Sequence, residues 1–228
     1  KAKSDIDKFD LARKLKKKIK RIRETNYNNL KNGDEKTKQI ATSVYFIDNL
    51  AIRVGGDKPD DSADTVGVTS LRVEHINVHD NNKLTLNFLG KDAVKYVRKI
   101  TVDDVVYKNI LKFQKDKSRK DQLFDLISAS DVNRYLQTFM KGLTAKVYRT
   151  YNASNLFQKE LNKVNKTFLE YNEEDKINKL LSEFNKANAK VAVLCNHQKK
   201  VSKTFDSQVV KIDNMIKKTR KRIKKIQN

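Results

Sequence analysis

The stretch Leu84-Thr85-Leu86-Asn87-Phe88-Leu89-Gly90-Lys91-Asp92 sets the fold class, because apolar and polar residues alternate in it up to a glycine-containing turn. Alternation with a period of two predicts a β-strand that buries one face. Residues 71–77 and 96–100 show the same alternation. We therefore predict a small antiparallel sheet of three strands, with the second and third joined by a tight turn at Gly90-Lys91-Asp92.

On both sides of this region, apolar residues recur at three- and four-residue spacing, which predicts helices. The first helix is predicted over residues 5–24 and the second over 35–53, with Gly55-Gly56 ending it. Further helices are predicted over 103–114, 130–140, 144–164 and 174–198. The fold class is therefore mainly α with a small antiparallel β-sheet (α+β).

The composition points to a polyanionic partner. The chain has 228 residues, enough for one substantial domain and marginal for two. Lys and Arg number 50 against 28 Asp and Glu, a formal net charge of +22. Repulsion of this size opposes compaction unless an anion balances it. Nucleic acid is the favoured partner, an anionic membrane surface is the second candidate, and a surface that merely aids solubility is the third.

Several other classes of protein are disfavoured. Cys195 is the single cysteine, so an intrachain disulfide is impossible and a reducing compartment fits. No apolar run approaches the length of a membrane span, and we find no signal-peptide pattern, although we expect Lys1 to be a domain boundary. Gly-rich phosphate loops, Cys/His metal spacings and nucleophile elbows are absent, so we expect neither a metal nor a cofactor. The acidic segment 57–64 could hold a divalent cation, but its composition favours a turn-forming loop.

The first predicted helix carries a dense run of cations. Between residues 13 and 23 it has eight Lys or Arg and no acid: Arg13, Lys14, Lys16, Lys17, Lys18, Lys20, Arg21 and Arg23. Like charges at i,i+4 repel on a bare helix, which favours contact with phosphates over a solvated face. The same residues could also serve as a nuclear-import signal. We assign contacts with the DNA backbone to Lys14, Lys17, Lys18 and Arg21.

Four further side chains lie in distinctive local contexts: Arg53, Lys91, Arg149 and His197. Each has an ordinary explanation when taken alone. Arg53 could interact with a helix dipole, and Lys91 could be a turn lysine. Arg149 could form a structural ion pair, and His197 could be a hydrogen-bonded core histidine. Residue type and local pattern therefore leave the role of each one open.

Six segments carry a resemblance to a known family: Tyr45–Asp48 with Arg53, 63–67, 70–76, 88–92, 142–154 and 194–198. Their order and spacing resemble those of eukaryotic-type type IB DNA topoisomerases, over nearly the whole chain. The resemblance implies the DNA breaking-rejoining fold that tyrosine recombinases share. It also implies a catalytic core domain over residues 1–201 and the start of a coiled-coil linker over 202–228. In that second segment, apolar residues repeat every three or four positions.

The resemblance also implies catalytic roles. Arg53 and Arg149 would hold the non-bridging oxygens of the scissile phosphate, and His197 would add a hydrogen bond to the same group. Lys91, placed in the minor groove by its hairpin, would protonate the leaving 5′ oxygen. Guanidinium groups suit this chemistry because attack on a phosphodiester builds negative charge on the phosphoryl oxygens. General acid catalysis by a lysine adds roughly 10²- to 10⁴-fold.

Two neighbouring residues refine the resemblance. Asp92 would lie beside the cleavage site, where the family's intercalating inhibitors bind. Lys146 stands three residues before Arg149, where tyrosine recombinases usually have a histidine. The lysine therefore favours a topoisomerase over a recombinase.

The family's nucleophile is a tyrosine that follows a Lys-x-Asn motif. The eight tyrosines of this chain lie in other contexts: Tyr27, Tyr45, Tyr96, Tyr107, Tyr135, Tyr148, Tyr151 and Tyr171. We therefore expect the nucleophile to come from outside the chain, either from the same natural polypeptide or from a separate small subunit. By itself, the chain is expected to bind double-stranded DNA without cleaving it.

The expected whole enzyme is a monomeric nuclear topoisomerase. It would relax supercoils without ATP or metal by nicking one strand through a 3′-phosphotyrosyl intermediate and religating it. Two alternatives stay open. A tyrosine recombinase would need specific DNA sites and synapsis, and a non-catalytic basic helical protein would bind DNA or RNA only.

Overall fold

The computed structural model describes residues 2–56, 64–164, 173–197 and 204–227. In chain order, these residues form helices and strands with the following bounds: α1 (Ala2–Asn32), α2 (Glu35–Leu50), β1 (Ile76–His79), β2 (Lys83–Leu89), β3 (Lys95–Thr101), α3 (Asp104–Gln114), α4 (Ala129–Phe139), α5 (Ala145–Val164), α6 (Glu173–Leu194) and α7 (Phe205–Gln227). The predicted fold class, mainly α with a small antiparallel sheet, is confirmed.

The sheet has the order β1-β2-β3, and both pairs are antiparallel. Leu86 in the central strand lies opposite Ile76 of β1 and Arg98 of β3. Leu84, Leu86 and Phe88 are buried, as their alternation predicts. The β2–β3 hairpin closes where the NH of Gly90 donates to the carbonyl of Val94 at 2.8 Å, so the predicted turn is confirmed too.

The first predicted strand was placed too early in the sequence. β1 begins at Ile76, and residues 71–75 instead run through a bridge and a single 3-10 turn. Their backbone groups pair with a distant segment. Leu123 NH donates to Leu71 O at 2.8 Å, and Val73 NH donates to Asp121 O at 3.0 Å. Pairing with residues 119–123, rather than with β2, explains the strand-like alternation in this stretch.

Helix α1 is longer than the predicted 5–24. Its buried face continues through Asn26 and Leu30, so the helix gains packing beyond residue 24. It ends before Gly33, whose missing Cβ would lie 2.7 Å from the carbonyl oxygen of Asn29. Helix α2 starts at once, capped by Asp34, whose carboxylate accepts from the NH of Thr37 at 2.8 Å.

Helices α2 and α6 both end earlier than the sequence predicts. α2 stops at Leu50, because Ala51 adopts the left-handed conformation with φ of 52°. Arg53 therefore lies beyond the helix and does not end it. α6 stops at Leu194, where Asn196 takes the same conformation with φ of 54°. His197 consequently lies outside α6, not on an apolar helix as predicted.

Residues Lys1–His197 form one compact unit. Its core is a single cluster contributed by α1 to α5, by one face of the sheet and by the segments between them. The largest fully buried side chains in it include Tyr148, Phe46, Phe113 and Phe124. Phe124 contacts both Phe46 and Phe113 edge to face, with ring centroids 6.4 and 5.8 Å apart. This core fixes the positions of α2, which precedes Arg53, and of α5, which contains Arg149.

Gln198–Asn228 form a second unit, of which α7 is described. Exposed apolar residues recur along α7 at intervals of three, four or seven residues, close to the predicted pattern: Phe205, Val209, Ile212, Ile216, Ile223 and Ile226. This spacing is typical of a coiled-coil helix. The assignment of 1–201 to the core and 202–228 to a linker stays a prediction. Of the helices in the described ranges, none is both long and apolar enough to cross a membrane.

Candidate active site

Hydrogen bonds hold the backbone around Arg53, whose side chain is exposed. After the turn at Ala51, the carbonyl of Arg53 accepts from Val68 NH at 2.8 Å. The carbonyl of Val54 accepts from both the NH and the hydroxyl of Thr69, each at 2.9 Å. These bonds tie the segment after α2 to a 3-10 turn at Val68–Ser70. Because the backbone is fixed, the guanidinium of Arg53 projects from a defined point.

Because Gly67 has no side chain, its backbone can lie directly against Gly55 and the carbonyl of Arg53. A Cβ at this position would lie 2.2 Å from the nitrogen of Gly55 and 2.8 Å from the carbonyl oxygen of Arg53. Both distances are far below van der Waals contact, so any side chain here would push the Arg53 segment away. Glycine at position 67 is thus a requirement of the backbone around Arg53.

Arg149 lies on the first half of α5 and reaches the same turn. Its Nε donates to the carbonyl of Ala51 at 2.5 Å. Burial lowers the pKa of Arg149, and the positive charge of Arg53 lowers it further. Among the described residues, no carboxylate contributes to this shift. Arg149 is therefore partly desolvated, while the exposed Arg53 is near enough for the two positive charges to repel, and an anion between them would relieve that repulsion.

The position of α5 depends on a network centred on Asp48 of α2. Arg23 of α1 binds the Asp48 carboxylate through two hydrogen bonds of 2.7 and 2.8 Å, which raises the pKa of Arg23. The hydroxyl of Tyr148 donates to the same carboxylate at 3.3 Å, and Asn152 donates to the Asp48 carbonyl at 2.7 Å. Tyr148 directly precedes Arg149, so this network holds Arg149 against the end of α2.

Cys195, the residue after α6, is near enough to Arg149 for their electrostatic interaction to raise the pKa of Arg149. His197 follows two residues later, and its side chain is exposed. Its NH donates to the carbonyl of Ala192 at 2.8 Å, and the NH of Asn196 donates to Val193 O at 3.2 Å. These two bonds form a Schellman motif, which fixes the backbone that presents His197.

Lys91 lies at the tip of the β2–β3 hairpin. Lys91–Ala93 make a short 3-10 turn in which Asp92 has φ of 61°, and the NH of Val94 donates to Lys91 O at 3.3 Å. Lys91 and Asp92 are both exposed. The hairpin is joined to α6 because the side-chain amide of Asn196 donates to the carbonyl of Lys95 at 3.2 Å. This bond connects Lys91 to the His197 segment only indirectly.

Among the predicted site residues, Arg53, Arg149 and the His197 segment are therefore linked through neighbouring groups. Lys91 is connected to them through Lys95 of its hairpin, whose carbonyl accepts from Asn196. Lys146 is exposed on the first turn of α5, one turn before Arg149. Within the described part of the chain, the side chains of Arg53, Lys91 and His197 are exposed and form no hydrogen bond or ion pair.

The basic face of α1 is exposed, and two of its eight cations are paired with acids that lie outside residues 13–23. Arg23 is paired with Asp48 from another helix, and Arg13 with Asp10 one turn earlier. The assigned backbone-contact residues Lys14, Lys17, Lys18 and Arg21 are all exposed. Of these four, Lys18 donates to the carbonyl of Phe139 at 3.3 Å. Their assigned contacts with DNA stay a prediction.

Sequence reasoning missed Arg98 and Asn196. Arg98 lies on β3 and donates to the carbonyls of Val193 and Leu194, the second at 3.4 Å. One signal was present, because Arg98 alternates with Tyr96 and Ile100 and therefore falls on the inward face of the predicted strand. A cation at an inward position needs acceptors, and here the end of α6 supplies them.

The described tyrosines occupy structural positions. Burial raises the pKa of Tyr45, Tyr96, Tyr135, Tyr148 and Tyr151. Tyr107 donates to the carbonyl of His79 at 3.1 Å, and the ring of Tyr27 lies 4.6 Å from the ammonium of Lys31. Tyr171 and most of the acidic segment 57–64 lie outside the described residues. Within those residues, no group of three or more His, Cys, Asp or Glu could hold a metal ion.

The architecture is that of a basic, mainly helical domain with a small antiparallel sheet. The family described as eukaryotic DNA topoisomerase I, catalytic core, matches residues 1–228. This chain belongs to that family.

Relatives from distant eukaryotes agree with this assignment. DNA topoisomerase 1 of Caenorhabditis elegans is 41 % identical over 98 % of this chain and 29 % of its own length. DNA topoisomerase 1 of Homo sapiens is 40 % identical over 95 % of this chain and 28 % of its own length. For DNA topoisomerase I, mitochondrial, of Rattus norvegicus, the values are 38 %, 95 % and 36 %. The chain thus spans between 28 and 36 % of the length of these three relatives.

Proposed function

We propose that this chain is the DNA-binding core of a type IB topoisomerase. The whole enzyme would relax supercoiled double-stranded DNA without ATP or a metal ion. One observation carries the proposal. Arg149 donates to the carbonyl of Ala51, two residues before Arg53, and the charge of Arg53 lowers the pKa of Arg149 with no opposing carboxylate in the described ranges. A phosphodiester with two non-bridging oxygens matches such a pair, since each guanidinium presents forked donors.

In the proposed reaction, a tyrosine oxygen attacks the scissile phosphorus and loses its proton to solvent. The bond from phosphorus to the 5′ oxygen breaks, leaving a 3′-phosphotyrosyl linkage. Arg53, Arg149 and His197 stabilise the charge that builds on the phosphoryl oxygens. Lys91 gives its proton to the departing 5′ oxygen and takes it back during religation, after the free strand has rotated.

The attacking tyrosine is proposed to come from outside these residues. Burial raises the pKa of five of the described tyrosines, and the hydroxyl of Tyr107 donates to the carbonyl of His79. A higher pKa makes a phenol a poorer source of phenolate. By itself, the chain would therefore bind DNA and leave both strands intact.

The partner and location follow from the same reasoning. The net charge of +22 and the exposed cations of α1 favour duplex DNA as the substrate. We assign the enzyme to the nucleus, since the run of cations in α1 suits an import signal as well as phosphate contact. We expect one copy of the chain in each enzyme.

The decisive test supplies a segment carrying the Lys-x-Asn-Tyr motif in trans. We expect the mixture to relax negatively supercoiled plasmid in EDTA without ATP. Lys91→Ala should lower the relaxation rate at least about a hundredfold while duplex affinity stays within about twofold. Lys99→Ala is the matched control, because Lys99 is an exposed lysine on the same hairpin.

The alternatives predict different outcomes. A tyrosine recombinase would cleave only at particular sequences, which mapping on mixed-sequence DNA detects. A non-catalytic binder would give no relaxation, and Lys91→Ala would then change affinity alone. Equal losses of affinity and rate in Lys91→Ala would refute the general-acid role.

A further inference from the structure

Side-chain hydrogen bonds from Arg98 and Asn196 join the carboxyl end of α6 to the β2–β3 hairpin. The final carbonyls of a helix lack partners within the helix and need donors from elsewhere. Arg98 of β3 supplies such donors, because its Nη2 donates to Val193 O and, at 3.4 Å, to Leu194 O. Its positive charge also lies at the negative end of the helix dipole. Arg98 therefore caps α6 from a neighbouring strand.

Arg98 is held in place by the aromatic face of the sheet. Its guanidinium carbon lies 5.4 Å from the centre of the Tyr96 ring, and Tyr96 stacks on Phe88 with centroids 4.8 Å apart. Phe88 is three residues before Lys91, and Tyr96 is five residues after it. The cap on α6 thus rests on the two strands that carry the Lys91 turn.

The second tie runs through Asn196. Its side-chain amide donates to the carbonyl of Lys95, the first residue of β3, at 3.2 Å. Its own backbone adopts φ of 54°, a conformation that asparagine tolerates better than most residues. Asn196 therefore does two things at once: it ends α6 and attaches that end to the hairpin. His197 is the next residue.

From these contacts we propose that Arg98 and Asn196 are positioning residues, which hold the His197 segment and the Lys91 hairpin as one rigid unit. The inference rests on the proposed function, because it concerns how two groups of that site keep their relative positions. Lys91 and His197 would act on two oxygens of the same phosphate, which are bonded to a common phosphorus. A shift of about 1 Å at such a site costs on the order of a hundredfold in rate.

The first test measures hydrogen exchange in the 228-residue chain and needs no activity. In Arg98→Ala, the amides of Asn196 and His197 should exchange at least tenfold faster, because their acceptors lie at the freed helix end. The amide of Ala187, midway along α6, should keep its protection. Arg98→Lys keeps the cation and should recover most of the protection. Unchanged exchange at Asn196 and His197 in Arg98→Ala would overturn the proposal.

The second test is a double-mutant cycle on single-turnover cleavage, with the tyrosine segment supplied. Arg98→Ala should slow cleavage at least tenfold with duplex affinity within twofold. In a chain that already carries His197→Ala, adding Arg98→Ala should slow cleavage by less than a further threefold, because the side chain that Arg98 positions is already absent. Losses that multiply as for independent sites would refute positioning through His197. If even the unchanged chain fails to cleave, the proposed function is wrong, while the exchange result still decides whether the tie exists.

If Arg98→Ala does not fold, Asn196→Gly can replace it in both the exchange and the cleavage measurements. Glycine adopts a positive φ without strain but lacks the amide that donates to Lys95. The expected result is a normally folded chain with fast exchange at His197 and slowed cleavage. Wild-type exchange and cleavage in Asn196→Gly would show that this tie does not position His197.

Discussion

Arg149 donates from Nε to the carbonyl oxygen of Ala51 at 2.5 Å, across 98 residues of sequence. Ala51 is the residue whose left-handed conformation ends α2. One hydrogen bond therefore connects the α5 helix with the turn that presents Arg53. Because it uses Nε, the two terminal nitrogens of the guanidinium stay available for an anion.

This geometry predicts that lysine cannot replace Arg149. Arg149→Lys keeps the positive charge but loses both the Ala51 contact and the forked donors. With the tyrosine segment supplied, single-turnover cleavage should fall by roughly 10²- to 10³-fold, as for the loss of one transition-state donor. Arg134→Lys, at an exposed position of α4, is the control and should cleave at the normal rate. A cleavage rate within threefold of normal in Arg149→Lys would remove Arg149 from the site.

The backbone beside Arg53 gives a prediction about stability. Gly67→Ala would place a methyl group 2.3 Å from the Cα of Gly55, so the Arg53 segment must shift. We expect the free energy of unfolding to drop by about 3 kcal/mol, measured by urea denaturation.

Gly56→Ala is the matched control for Gly67→Ala. A Cβ at Gly56 meets nothing within 4 Å, so its effect should stay below about 1 kcal/mol. Equal stabilities for the two variants would show that Gly67 does not pack on the Arg53 segment.

How much of this site the sequence could predict depends on the range of the interactions. The Lys91 turn was predictable, because alternation in β2 and the glycine at position 90 are local signals. The end of α2 was not, because an alanine rather than a glycine adopts the left-handed conformation there. The segment 71–75 was misread as a strand, since its partners at 119–123 lie almost fifty residues away.

The proximity of Arg53 and Arg149 also depends on long-range interactions that local sequence patterns do not predict. Nothing local to either residue indicates that they meet, and the sequence pointed to them only through a family resemblance. Their proximity depends on the partly buried network of Asp48 with Arg23 and Tyr148, which joins three helices. Arg98 was missed for a similar reason, because its acceptors are backbone carbonyls that carry no side-chain signature.

The start of α4 predicts a pH dependence of stability. Ser128 and Asp131 form a capping box: Ser128 donates to the Asp131 carboxylate from its hydroxyl at 2.7 Å and from its NH at 2.9 Å. These bonds lower the pKa of Asp131 to about 2. A depressed carboxylate pKa stabilises the fold fully above the unfolded pKa near 4, and the stabilisation is lost as pH falls from about 4 to 2.

Ser128→Ala should therefore raise the pKa of Asp131 and lower the free energy of unfolding at pH 7 by about 1 kcal/mol. Between pH 4 and 2, the variant should lose less stability than the unchanged chain does. Urea denaturation at several pH values measures both effects, and Ser130→Ala serves as the control on the same helix. Parallel pH profiles for Ser128→Ala and the unchanged chain would contradict the capping box.

The exposed cations of α1 predict how duplex binding depends on salt. Each phosphate contact releases counterions, so log Kd rises with log salt concentration by about 0.9 per contact. If Lys14 and Lys17 each contact one phosphate, changing both to Gln should reduce this slope by about 2. Lys108→Gln with Lys112→Gln is the control pair, because these α3 lysines are already paired with Asp104 and Glu35. Fluorescence anisotropy with a labelled duplex at several salt concentrations gives both slopes. If the two double variants reduced the slope equally, α1 would contribute only general charge, and its assignment as the DNA-contacting face would fail.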